Sequence, residues 1–155
     1  MAGSGMILIR EVADAPVIMG ISKPDGLKSP CGEVKIMNPL FVGIDVSSRN
    51  NVAYLMKPDG SKHSSFSVQN NLGGAKILSE RIVSALEAVQ LSDVVIGLEA
   101  TSIYGDSLVY ALREDGNLGR FQRKIHVLNP KQVRKFKEAY SDLPKNDWVD
   151  AFVIA

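Results

Sequence analysis

Four carboxylates in this 155-residue sequence, Asp45, Glu99, Asp147 and Asp150, are the residues best suited to chemistry. Asp45 interrupts the apolar run FVGIDVS, and Glu99 closes the run VVIGLE. A carboxylate inside a strand of this kind is expected to be buried or nearly so, and an unpaired buried charge is very costly. Something must compensate it, and a bound cation is one candidate. The ordinary alternatives are an edge-strand position or pairing with Arg49 for Asp45, and a strand-terminal acid facing water for Glu99. Asp147 and Asp150 are three residues apart, a spacing that puts both on one face of a helix. They also fall in the first turn after Asn146, where the helix dipole favours negative charge, so helix capping alone accounts for them too.

The set says more than its members. Hard cations take oxygen ligands, and several carboxylates around a dry cleft suit magnesium, with manganese able to substitute. Two such ions about 4 Å apart can clamp the attacking and leaving oxygens of a phosphodiester. Without metal the same acids repel, which raises some of their pKa values. Asp45, Glu99, Asp147 and Asp150 are therefore the candidate metal-binding and catalytic residues.

A second feature is charge distribution. The net charge is only +1, yet eight basic residues lie between Arg120 and Lys145, opposed by Glu138 and Asp142. Such a stretch suits one face meeting a polyanion. Lys131, Arg134, Lys135 and Lys137 are the candidate nucleic-acid contacts, since Lys and Arg neutralise phosphates without reading sequence. A solvated amphipathic helix is the plain alternative. His63 and His126 have no spacing that makes a metal pair, Ser47 and Ser48 lack a nearby base, and Trp148 is expected to pack. Tyr104 could stack on a base, although a core or surface role is commoner.

These positions need elements to hold them. Leu40–Ser47 reads as a buried strand, Asn51–Lys57 as a second, and Lys62–Gln69 as a third after the turn Pro58-Asp59-Gly60-Ser61. Gly73–Leu91 places Ile77, Leu78, Ile82, Leu86 and Val89 on one helical stripe. Asp93–Ala100 is a further buried strand, Asp106–Asp115 a helix stopped by Gly116, Lys124–Leu128 a short strand, and Lys131–Tyr140 a basic helix after Pro130. Asn146 caps a last helix. A meander followed by alternating helices and strands implies an α/β domain, a mixed sheet with helices on its faces.

Composition narrows the class. An apolar fraction of 45% and a charged fraction of 23% fit a folded globular domain and exclude a fibrous or disordered chain. Cys31 is the lone cysteine, which rules out an internal disulfide and a CxxC zinc site and fits a reducing compartment. No apolar run is long enough to span a bilayer and no signal peptide is visible, so no membrane partner and a cytoplasmic location are expected. Residues 1–39 carry Pro16, Pro24, Pro30 and Pro39 with several glycines, and read as an N-terminal extension whose opening MAGSGM has the look of an expression remnant. The domain proper is expected over 40–155.

With the motifs placed, the sequence resembles a known family. FVGIDVS (Phe41–Ser47), GLEATSIYG (Gly97–Gly105), VLNPKQVRKFKEA (Val127–Ala139) and KNDWVDA (Lys145–Ala151) are similar, in order and spacing, to the motifs of DEDD-type insertion-sequence transposases, the group that includes the Piv invertase. The resemblance implies an RNase H-like domain similar to the RuvC Holliday-junction resolvase, with Asp45, Glu99, Asp147 and Asp150 as the four metal-binding acids. It also implies DNA as substrate, a structured guide RNA, homo-oligomerisation of the whole enzyme, and a C-terminal domain beyond Ala155 that bears a serine nucleophile. Three positions depart from the family pattern: Ser48-Arg49 where a Lys is usual, Ser102 for a Gly, and Asn146 for a Thr, the last a mild change because both residues cap helices. Two rival readings are an actin-like ATPase or kinase domain, which a glycine-free Ser47-Ser48-Arg49-Asn50-Asn51 segment disfavours, and a non-catalytic nucleic-acid-binding module.

Overall fold

The computed structural model describes residues 38–99, 104–139 and 146–155. The expectations for residues 1–37, Ser102, Tyr140 and Lys145 lie outside them. Five strands and four helices follow in the order β1 Leu40–Val46, β2 Asn50–Met56, β3 Lys62–Gln69, α1 Leu72–Ala88, β4 Asp93–Glu99, α2 Asp106–Glu114, β5 Gln122–Leu128, α3 Pro130–Glu138 and α4 Asp147–Ile154. A 3-10 turn at Leu118–Arg120, which no apolar period announces, precedes β5.

The strands form one mixed sheet in the order β3-β2-β1-β4-β5. β1 pairs antiparallel with β2 and parallel with β4, and β4 pairs parallel with β5. This is the RNase H-like arrangement. Its consequence is positional: Asp45 and Glu99 lie at the same, carboxyl-terminal edge of two adjacent parallel strands. Ile44 stands beside Leu98, and the next step of that register sets Asp45 beside Glu99.

Alternation gives each strand two faces. Leu40, Val42, Ile44 and Val46 of β1, with Val94, Ile96 and Leu98 of β4, turn to one side and pack with Leu78, Ile82 and Leu86 of α1 and with Leu108 and Leu112 of α2. Burying each such side chain stabilises the fold by roughly 1.5–3 kcal/mol. The buried stripe of α1 differs from the expected one at Ile77, which is exposed, whereas Ala75, Ser79 and Val83 are buried. A period of 3.6 fits either neighbour of Leu78, and packing against β3 and α2 selects the small side. α1 begins at Leu72, capped by Asn71 accepting from the Gly74 amide at 2.8 Å. α2 ends at Glu114 through extended Asp115, and Gly116 does not supply the left-handed stop anticipated for it.

The opposite face of the sheet carries α4. Here Gly43 and Gly97, direct partners across β1 and β4, make a notch in an otherwise side-chain-covered surface. A Cβ on Gly43 would lie 2.0 Å from the Ala151 carbonyl oxygen and 2.4 Å from the Ala155 amide nitrogen. A Cβ on Gly97 would lie 3.0 Å from the Ile154 oxygen. The end of α4 thus rests on strand backbone, flanked by Tyr54 of β2, whose ring meets Phe152 edge-on at 5.2 Å. Val153 and Ile154 also join Val133 of α3 in a second small apolar cluster, with Phe136, Val149 and Leu128 around it.

Gly43→Ala is expected to displace α4 and lower stability by about 3 kcal/mol or more, above the usual overpacking range because the clash is with backbone. Gly97→Ala, with a milder contact, should cost less than half of that. Chemical denaturation of the two variants checks the order; equal, small losses contradict the notch.

Candidate metal and nucleic-acid site

The glycines that seat α4 also explain how its acids reach the strands. Gly43 and Asp45 are two residues apart on β1, as are Gly97 and Glu99 on β4, so each acid points to the face that bears α4. On α4, Asp147, Asp150, Ala151 and Ile154 follow the spacing i, i+3, i+4, i+7. Ala151 and Ile154 are buried against the sheet, and the two aspartates continue the same stripe toward the helix start. The start itself is fixed by Asn146, whose side-chain oxygen accepts from the Val149 amide at 2.9 Å. Four acids distant in sequence are thereby directed at one edge of the sheet.

Their proximity is visible in the electrostatics of Asp45. Its carboxyl is pushed up from an ordinary 3.8 to about 6, first by burial, then by the charges of Asp150, Asp147 and Glu99, while Lys137 acts in the opposite direction. Asp45, Glu99 and Asp150 are half-buried and Asp147 is exposed. Asp45 is within electrostatic reach of the other three, but the acids are not closed around a point. Among the described residues no group of three or more His, Cys, Asp or Glu is placed to hold a metal ion. The Lys137 ammonium stands 2.6 Å from Asp150 Oδ1. The donor chemistry nonetheless fits a hard divalent cation, with carboxylate oxygens only and mutual repulsion for such an ion to relieve.

The basic stretch divides into three parts. Lys131, Arg134 and Lys135 are exposed along α3, whose first turn is fixed by Asn129 accepting from the Lys131 amide at 2.9 Å. Lys137 lies apart from them, four residues beyond buried Val133, on the inward face. Arg120 and Arg123 do structural work instead: Arg120 pairs with Glu87 at 3.3 Å, and Arg123 donates to the carbonyls of Asp115 and Arg113. Basic side chains close in sequence need not share a face, so the stretch is not one continuous cationic surface.

Asn70 is a residue that sequence reading passed over. Its Nδ2 donates to the Ser47 carbonyl at 2.8 Å and reaches the Tyr104 carbonyl at 3.4 Å, while its backbone amide donates to the Arg49 carbonyl. It ties the turn beyond Asp45 to the segment beyond Glu99. No periodicity marks a loop asparagine for such a part. His63 bonds Ser64 at 3.1 Å within β3, and Trp148 is exposed rather than packed away.

The raised pKa of Asp45 has a defined consequence for stability. Its folded value lies above the unfolded one, so its ionisation weighs against the metal-free fold. That penalty is absent below about pH 4 and grows as pH rises through about 6. Metal-free Asp45→Asn should therefore melt above the parent at pH 7.5, by an amount on the order of 1 kcal/mol once solvent screening is allowed for. At pH 4 the two should coincide. Thermal melts at both pH values check this, and a parent more stable than the variant at pH 7.5 contradicts it.

Among curated proteins none matches this sequence. A structure of Thermus thermophilus RuvC in complex with a Holliday junction substrate is similar at a TM-score of 0.47 and 14% identity, covering 76% of this chain and 90% of that one. A second Thermus thermophilus RuvC structure gives the same score and identity, over 75% and 90%. Among the described residues no helix is long and apolar enough to cross a membrane. The model of the IS110-type DEDD transposase family, described simply as a transposase, matches residues 42–155. The chain belongs to that transposase family.

Proposed function

We propose that this domain is the metal-dependent catalytic domain of a DNA transposase, cleaving and exchanging strands during transposition of an insertion sequence. The observation that carries the reading is the placement of Asp45 and Glu99 at the carboxyl-terminal edge of adjacent parallel strands, on the face covered by the helix whose first turn bears Asp147 and Asp150; the raised Asp45 carboxyl agrees with it. A half-buried carboxyl whose ionisation is opposed by acidic neighbours marks a place prepared for positive charge.

Asp45 and Glu99 approach from rigid parallel strands, and Asp147 and Asp150 from the first turn of α4. Together they would hold magnesium, for which manganese can substitute. When bound, the cations supply a counter-charge to the scissile phosphate and stabilise the negative charge that develops on it. Lys131, Arg134 and Lys135 would hold backbone phosphates beside the site, of DNA and of the structured RNA that the resemblance implies. The strand-exchange nucleophile would come from the second domain that the family pattern implies. Oligomerisation of the whole enzyme is part of the same reading.

In a transposition assay with the complete enzyme, Asp45→Asn and Asp150→Asn should each abolish strand exchange while leaving the circular dichroism spectrum unchanged. Arg134→Ala in the same enzyme should weaken DNA binding and lower the salt slope of log K by about 1. Retained strand exchange in either aspartate variant sinks the catalytic assignment.

A further inference from the structure

We infer that Lys137 is an internal counter-ion of the acid cluster, holding Asp150 when no metal is present and giving way when a divalent cation enters. The inference rests on the reading of the four acids as metal ligands and adds a competitor for their site that belongs to the chain itself.

Lys137 differs from the other cations of α3. Val133, Phe136 and Lys137 follow i, i+3, i+4 spacing, and the first two pack against α4 in the small apolar cluster. The side chain of Lys137 is carried on that inward face, and its ammonium meets Asp150 Oδ1 at 2.6 Å. The two side chains are only 28% and 32% exposed, so the contact is shielded more than a surface pair. Lys131, Arg134 and Lys135, within two helix turns of it, are exposed. The position is therefore specific to Lys137 and is not a general property of a basic helix.

The charges say why the lysine is there and why it can leave. Asp45, Glu99, Asp147 and Asp150 bring like charges together, and Lys137 sets one positive charge against them. Its charge also draws the Asp45 carboxyl down, against the three acids that raise it. Lys137 thus reaches beyond Asp150 to the strand side of the site. An ammonium contributes one charge and donates hydrogen bonds, whereas a divalent ion contributes two and is ligated by oxygens directly. Two positive charges drawn to one carboxylate repel, so each weakens the other's hold, by the same factor. The long, flexible lysine stem lets the ammonium swing clear without moving α3.

The test compares the parent protein with Lys137→Met and Lys137→Arg. Metal-free melting temperature and manganese affinity by titration calorimetry are measured for each. Lys137→Met should melt below the parent without metal, because Asp150 loses its counter-charge, and should bind manganese about tenfold more tightly, in the range usual for coupled sites. Lys137→Arg, which keeps the charge, should return both quantities toward parent values. If Lys137→Met binds manganese no more tightly than the parent, the competition is overturned while the metal site stands. If neither protein binds manganese at any concentration, the ligand reading falls and this inference falls with it.

Discussion

The close approach of α4 to the backbone of β1 and β4 is the constraint from which the rest follows. A helix laid on a sheet normally sits about 10 Å off, held there by two layers of side chains. At Gly43 there is no side chain on the strand, and the carbonyl of Ala151 and the amide of Ala155 occupy the space that a Cβ would fill. Because strand side chains alternate with a period of two, the glycines that admit the helix also decide which face Asp45 and Glu99 use. Because helix side chains repeat every three or four residues, the stripe that buries Ala151 and Ile154 also carries Asp150 and Asp147. Packing and chemistry share one geometric rule.

The arrangement opposes itself electrostatically. Four like charges at one edge weaken the fold that gathers them, which is visible in the burden on Asp45. The dipole of α4 eases its two acids, and Lys137 eases Asp150 directly. These devices reduce the repulsion without removing it. A site that remains short of positive charge while its frame is rigid is suited to taking up metal and phosphate chemistry, and the family to which the chain belongs works on DNA as a transposase.

Much of this could be read from residues alone. The three-stranded meander, the alternation that follows, the cap at Asn146 and the four acids all have local signatures, since each depends on neighbours within a few positions. What escaped depends on partners far along the chain. The notch at Gly43 requires α4, more than a hundred residues on, to arrive over it. Lys137 looked like one more cation on a basic helix, because its distinction is the face it occupies against α4. Ile77 failed as a core residue since a helical period cannot say which flank of the stripe meets a neighbour. β5 began two residues before its apolar run because pairing with Asp93 and Val94 recruits Gln122 and Arg123. Asn70 was invisible for a similar reason, its partners lying in two separate segments.

The central claim is that strand acids and helix acids, brought together over a glycine notch, form one receptor for divalent cations. A crystal of this protein soaked in manganese measures it most directly. The account predicts an anomalous peak coordinated by Asp45 and by at least one of Asp147 and Asp150, with Lys137 withdrawn from Asp150. No peak at saturating manganese, or a peak bound by α4 acids with Asp45 uninvolved, would contradict it.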